Sequence, residues 1–372
     1  MLPLDGIRVL DFSTLLPGPM ASLFLVEAGA EVIKIERPGI GDEMRNYMPR
    51  FGEDSANFAL LNRGKRSIAI DLKAPGAIAF LKPLIASSDV LVEQFRPGVM
   101  ERLGLGYAAL SEVNPRLVYC SITGFGQSGP RRDMAAHDLN YLALAGLLSL
   151  TGGSDGAPGM PHTPIADIAA GAYPAVINIL LALLRRHQTG RGCHLDVSMT
   201  DNLFVLAYWG LAGGFAAGDW PTAGSALTTG ASPRYQIYRT ADGGYLSAGP
   251  IEQRFWDVFC RLIGLDEALR DDARTPAATR DAVAARIAAY PTAHWRKVFE
   301  GQDACCAIVA SLEEAVRDPH VAARKLFDRR VSAGDRTIPA LPIPIEGEMR
   351  DAAVTRSAPR LGADNSLFGA GA

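Results

Sequence analysis

Apolar runs suited to buried strands alternate with longer segments of helical periodicity along the first half of the chain. Residues 6–12, Gly-Ile-Arg-Val-Leu-Asp-Phe, read as a buried strand. The turn Leu15-Leu16-Pro17-Gly18-Pro19 leads into a helix running to about Ala28, with Gly29 as its stop. Residues 31–36 are the next strand, so strand, helix and strand form a βαβ unit. That unit implies a parallel sheet with right-handed crossovers. The alternation continues with a strand at 67–71, a helix at 76–86 and strands at 89–93 and 117–122. The last of these empties into Gly124-Phe125-Gly126-Gln127-Ser128-Gly129-Pro130. Glycine-rich loops at the strand ends of open α/β sheets are where ligands bind, although the same composition also makes a plain turn. Helices near 138–150 and 167–187, a strand at 194–199 and a helix from about Thr200 follow.

The pattern then changes. Residues 210–234 are rich in Gly, Ala, Thr and Ser and read as a linker. Beyond them, 235–240 and 245–248 flank Asp242-Gly243-Gly244, a hairpin signal. Helices are expected at 252–263, 279–289 and 292–300, and another starts at Ser311 with the capping box Ser311-x-x-Glu314. A chain of 372 residues exceeds what one core usually supports. The sequence therefore reads as α/β, with a large Rossmann-like parallel-sheet domain over 1–209, a linker at 210–234 and a smaller α+β domain over 235–325. From Pro339 the chain is Pro-rich and extended, ending in a loose Gly/Ala tail.

Composition narrows the function classes. Charged residues are 21% and hydrophobic ones 48%, ordinary values for a globular protein. A net charge of −3 leaves no basic footprint for nucleic acid, so any phosphorylated ligand needs a local cluster of arginines and lysines. The N-terminal residues carry no signal-peptide pattern, and the apolar run 175–184 reads as a buried helix too short to span a bilayer. The five cysteines have neither disulfide-framework nor zinc-ligand spacing. These features point to a cytoplasmic, metal-free protein with no membrane or nucleic-acid partner, and no peroxisomal tripeptide closes the chain.

Candidate chemistry sits where two helices begin. His137-Asp138 opens one and Asp167 opens the other about thirty residues later. A base and an acid at two helix starts suit moving a proton between the faces of one carbon. Asp138 and Asp167 equally fit the helix N-cap position, where Asp is favoured. The clusters Arg63-Gly64-Lys65-Arg66 and Arg37-Pro38-Gly39 border predicted strands, where phosphate contacts would be useful. Glu36 ends the second strand as in dinucleotide-binding folds. The first turn, however, lacks G-x-G-x-x-G, and Pro19 removes a donor, which argues against a nicotinamide cofactor. The aromatics Phe204, Tyr208, Trp209, Phe215 and Trp220 fall at spacings that read as core in preference to an acyl-binding surface.

A set of phrases in order along the chain carries a resemblance. They include Leu16-Pro17-Gly18-Pro19, Ile35-Glu36-Arg37-Pro38-Gly39, Arg63-Gly64-Lys65-Arg66-Ser67, Phe95-Arg96-Pro97-Gly98, Gly124-Phe125-Gly126-Gln127, His137-Asp138-Leu139-Asn140-Tyr141, Ile165-Ala166-Asp167, Ile251-Glu252 and Asp303-Ala304-Cys305. The chain resembles the class III CoA-transferase (CaiB/BaiF) superfamily and, within it, the α-methylacyl-CoA racemases; the His-Asp and Ile-Glu pairs are the racemase-like part. The resemblance implies an interlocked homodimer whose large domain is completed by about 326–372. It implies racemisation of 2-methylacyl-CoA thioesters through an enolate, with coenzyme A as part of the substrate and no cofactor. It assigns His137 and Asp167 as the two bases, Glu252 as the partner of His137, and Arg37, Asn62, Arg63, Gly64, Lys65, Arg96, Ala136, Leu139, Asn140 and Tyr141 as the CoA and thioester channel. The Asp138 amide is expected to donate to the enolate, and its carboxylate or Glu252 to raise the basicity of His137. The alternative within the superfamily is a CoA-transferase, in which Asp167 attacks the thioester and no histidine is needed. A CoA-binding protein without turnover is a further alternative. The family's longer C-terminal helix is shortened here, because Pro359-Arg360-Leu361-Gly362 is followed by few residues.

Overall fold

The computed structural model describes residues 1–152 and 157–368. Its chain falls into two compact units, one of residues 1–145, 161–206 and 324–372 and one of residues 146–160 and 207–323. In the first unit six strands form a fully parallel sheet: β1 (Arg8–Asp11), β2 (Glu31–Glu36), β3 (Arg66–Ala69), β4 (Val90–Glu93), β5 (Val118–Thr123) and β6 (Cys193–Ser198). Their order across the sheet is β3-β2-β1-β4-β5-β6, the doubly wound arrangement that the alternating sequence predicts. Val9, Leu10, Val90, Leu91 and Val92 are buried, because the inner strands are covered on both faces. Strand order reverses between β1 and β4, and the crevice outside their carboxyl ends is where such sheets take ligands.

Helix α1 (Pro17–Glu27) leaves that crevice and is buried along its whole length. Pro17 occupies the first turn, where its missing N–H costs no hydrogen bond. Gly18 is required there, since a Cβ would lie 2.2 Å from the Ser13 side chain. Below the turn lies a buried charge network. Lys34 pairs with Asp42 at 2.9 Å and donates to the Ser13 carbonyl at 2.7 Å, while Lys65 pairs with Asp11 at 3.2 Å. Burial opposes charge on Asp11, but Lys65 and Lys34 outweigh it and hold its carboxyl well below the usual range. Burial lowers the Lys65 ammonium too, to about 8, against the pull of Asp11. Asp42 also accepts from the amide of Leu15 at 3.0 Å, fixing that residue at φ 62, a left-handed conformation rare for leucine.

Two expectations about the chain's ends and joints are corrected. The stretch read as a linker contains a helix, Tyr208–Ala217, and the aromatics read as core are exposed, Phe215 at 76%. The tail read as loose is tied to the sheet. The amides of Ser67 and Ala69 on β3 donate to Asp364 (2.9 Å) and Asn365 (2.8 Å), and Gly362 N–H donates to the Ser67 hydroxyl at 2.9 Å. β3 is an edge strand, so these bonds cover donors that would otherwise stand open. Residues 369–372 lie outside the described residues.

The helix expected near 167–187 is present and extends slightly beyond both ends. A π-helical turn, Ala166–Ala172, continues into an α-helix at Tyr173–Thr189, and the 24-residue run is long and apolar enough to cross a membrane by length and composition. The α-helix packs Ala175, Ile179 and Ala182 inward, and Arg186 pairs with Asp89 at 2.8 Å, the behaviour of a core helix. Its other face exposes Tyr173, Ile177, Leu180, Leu181 and Leu184.

The second unit is α+β. Strands Gln236–Arg239, Tyr245–Ala248 and Cys306–Ile308 make an antiparallel sheet under helices Gln253–Leu262, Pro276–Ala288 and Thr292–Phe299. Trp256, Phe259, Val283, Ile287 and Trp295 form its core, and both indole N–H groups donate to carbonyls, of Arg270 and Ile287, at 2.8 Å.

Candidate active site

Two cavities open at the carboxyl ends of the sheet, both within the first unit. The larger, about 930 Å³, is lined by Thr14, Glu36, Arg37, Asp42, Asp71, Leu72, Lys73, Phe95 and Arg102 among others. The smaller, about 420 Å³, is lined by Leu15, Pro17, Arg96, Gly124, Phe125, Arg132, Ala136, His137, Asn140, Tyr141 and Asp167 among others. Phe95 lines both cavities.

The smaller cavity brings His137 and Asp167 together. Helix Asp138–Leu144 begins immediately after His137, whose amide donates to the Asn140 side chain at 3.0 Å. Asp138 connects the two helix starts: its carboxylate accepts from the Asp167 amide at 2.8 Å, and the amides of Ala166 and Ile165 also donate to it. This corrects the reading of that carboxylate as support for His137. Among the described residues it caps the helix carrying Asp167 and makes no hydrogen bond to the imidazole. Burial nevertheless raises the Asp138 carboxyl above its ordinary value, the three amides opposing it. Asp167 is pushed up to about 7, first by burial and then by the neighbouring charge of Asp138. Its place in a π-helical turn fits the frequent use of such turns at functional sites.

The walls are fixed by hydrogen bonds. Gly124 must be glycine, because a Cβ would approach Tyr141 to 2.4 Å. The Gly124 carbonyl accepts from Thr200 Oγ1 at 2.7 Å, and the Gln127 amide donates to Asp196 at 3.0 Å, which holds the glycine-rich loop over the site. Tyr141 donates its hydroxyl to the Ala136 carbonyl at 2.9 Å, and burial pushes its pKa up to about 12. The Gln94 side chain accepts from Gly18 N–H at 3.0 Å, joining the exit of β4 to the start of α1.

The channel residues expected from the sequence divide. Arg37 lines the larger cavity, and Arg96, Ala136, Asn140 and Tyr141 line the smaller. Leu139 lines neither and is exposed. Asn62, Arg63, Gly64 and Lys65 are corrected as well. Asn62, Arg63 and Lys65 are buried, Lys65 bonded to Asn62 (2.8 Å) and Pro19, and Arg63 paired with Glu27 at 2.7 Å. Gly64 is in a left-handed turn and donates to the Ser357 carbonyl at 2.9 Å. These side chains hold the fold together and face neither cavity. Glu36 is similarly consumed, by Arg45 (2.7 Å), Ser67 (2.6 Å) and the Asp42 amide (3.0 Å), so its carboxylate is not free to hold a dinucleotide ribose. Lys73, Phe95 and Arg102 were missed; Lys73 and Phe95 follow strand ends and Arg102 closes the short helix Val99–Arg102, and that placement is their only sequence signal. Glu252, in the second unit, is an exposed helix N-cap whose side chain makes no capping bond. Among the described residues, no group of three His, Cys, Asp or Glu is placed to hold a metal.

The model of CoA-transferase family III matches residues 4–365. The chain belongs to that family. It is 35% identical over 334 residues to mouse succinyl-CoA:glutarate CoA-transferase, covering 86% of this chain and 75% of the relative. It is equally 35% identical over 348 residues to human alpha-methylacyl-CoA racemase (92% and 86%), and 34% identical over 354 residues to acetyl-CoA:oxalate CoA-transferase of Acetobacter aceti (93% and 90%). Among solved structures, a CAIB/BAIF family protein from Brucella suis superposes with a TM-score of 0.85 at 28% identity over 99% of both chains. Rv3272 from Mycobacterium tuberculosis gives 0.86, also at 28% identity over 99% of both chains. Members of the family are enzymes, both racemases and CoA-transferases, and the α/β fold with its large parallel sheet is theirs too.

Proposed function

We propose that the protein racemises 2-methylacyl-CoA thioesters by 1,1-proton transfer, with His137 and Asp167 on opposite faces of the α-carbon. The observation that carries the reading is that both groups line one cavity, with Asp138 bonding their helix starts together. A carboxyl near 7 can both take and return a proton at neutral pH. Acid–base catalysis supplies roughly 10²–10⁴-fold, so the enolate oxygen needs its own donor. The Asp138 amide, which has no hydrogen-bond acceptor among the described residues, is the group proposed for it. The larger cavity, with Arg37, Lys73 and Arg102, takes the nucleotide end of coenzyme A, and no cofactor takes part in the proton transfer.

A homodimer supports this chemistry. Tyr173, Ile177, Leu180, Leu181 and Leu184 expose one apolar face of Tyr173–Thr189, which a second copy would cover. Glu252, exposed and uncapped, would come to His137 from a second copy. The second reading is a CoA-transferase with Asp167 as nucleophile, favoured by transferase relatives of equal identity. The two part at His137. His137→Ala should abolish α-proton exchange while retaining CoA-ester binding; undiminished turnover in that variant would leave the transferase reading standing.

A further inference from the structure

Four arginines converge at the far end of α1, away from both cavities. Arg63 donates to Glu27 at 2.7 Å and to the Leu341 carbonyl at 2.9 Å, and Arg329 donates to the other oxygen of Glu27 at 3.1 Å. Arg329 also donates to the Asp351 carbonyl, and Arg356 is paired with the Asp351 carboxylate. The Asp351 amide closes the ring on the Glu27 carbonyl at 2.9 Å. Arg350 is adjacent in sequence and close enough to Arg329 to repel it. Its Nε is sealed from solvent and, among the described residues, bonds to nothing.

Charge here does not balance. Four guanidinium groups face two carboxylates, and both acids are already shared among the other three arginines. The sealed Nε of Arg350 is costly without a partner, and an unsatisfied buried donor in a native fold calls for an occupant such as an ion. The floor of the cluster is rigid, because Arg63 and Glu27 are almost fully buried. Above it Arg329, Arg350 and Arg356 are part-exposed, so an anion has access from solvent. Planar, fixed guanidinium forks match the oxygens of phosphate better than lysines do. An 11-residue helix such as α1 is about 16 Å long, which separates this cluster from the turn that lines the cavities.

We infer that Arg329, Arg350 and Arg356 form an oxyanion site, separate from the acyl-CoA cavities, that takes a doubly charged phosphate group. The site stands whether the enzyme is a racemase or a transferase, since it uses none of the residues assigned to the reaction.

The test is a calorimetric titration of the full chain with inorganic phosphate in a low-salt, phosphate-free buffer, with acetate as the singly charged comparator. Phosphate should bind saturably at the cluster in the wild type. Arg350→Gln and Arg356→Gln should each weaken that binding about tenfold or more, as loss of a charge-assisted bond implies. Arg37→Gln, in the larger cavity, should leave the cluster's binding unchanged. Because the Arg350 side chain makes no hydrogen bond or ion pair among the described residues, Arg350→Gln should melt at the wild-type temperature in the absence of phosphate and gain less stability than the wild type when phosphate is added. No saturable binding, binding lost in Arg37→Gln but kept in Arg350→Gln, or equal affinity for acetate would each overturn the inference.

Discussion

Replacing Asp167 by Asn should stabilise the protein above neutral pH while destroying its activity. The Asp167 carboxyl is raised from 3.8 to about 7 by burial and by Asp138. A carboxyl raised in the folded state binds protons more tightly folded than unfolded, so the fold loses stability as pH climbs from about 4 and the loss levels off above about 7. At about 1.4 kcal/mol per pH decade, the interval corresponds to a ceiling of about 4 kcal/mol. Solvent at the cavity mouth and the coupling to Asp138 reduce the expected gain to about 1–3 kcal/mol. Asn keeps the shape and never ionises, so it removes this penalty and leaves the amide bond to Asp138 in place. Urea unfolding of both proteins at several pH values between 4.5 and 9, each about a unit apart, measures it. The advantage of Asn should be small at the acid end and grow to a plateau above neutrality. A constant difference across that range, or an Asn variant less stable at pH 9, would refute the assignment of a raised carboxyl.

Other consequences follow from the same geometry. Arg63→Ala leaves Glu27 with half its partners and should cost about 3–5 kcal/mol in urea unfolding, with the KM for acyl-CoA unchanged in the folded fraction; a raised KM at full stability would restore the phosphate-contact role. Asp138→Ala removes the cap on residues 165–167 and should cost about 1–2 kcal/mol of stability together with most of the turnover. Arg102→Ala should raise the KM for acyl-CoA by about 10-fold or more with kcat little changed; an equal fall in kcat would place Arg102 in the chemistry.

The parallel sheet was legible because strands buried on both faces leave unbroken apolar runs, as at Val90–Glu93. His137 and Asp167 were legible as two helix starts, and the structure gives them one cavity. The basic residues at 63–65 were misread because a run of charge in sequence looks solvated, while their acidic partners, Glu27 and Asp11, lie 36 and 54 positions away. Helix Tyr208–Ala217 was hidden by Gly210, Gly213 and Gly214, which lower helix propensity and imitate a linker. The tail's order depends on the exposed edge of β3, a fact of sheet topology that no local pattern records. Arg102 and Lys73 are single residues brought to one cavity from a short helix and a strand exit, so nothing in their spacing joins them.

Asp167 is proposed to move a proton and not to attack the thioester. This is tested most directly with a single-enantiomer 2-methylacyl-CoA in deuterated buffer, following the α-proton by NMR and the enantiomer ratio together, with and without a carboxylate acceptor. α-Deuteration and racemisation should proceed at the same rate in both arms. Transfer of CoA to the acceptor without α-exchange would contradict this and make Asp167 a nucleophile.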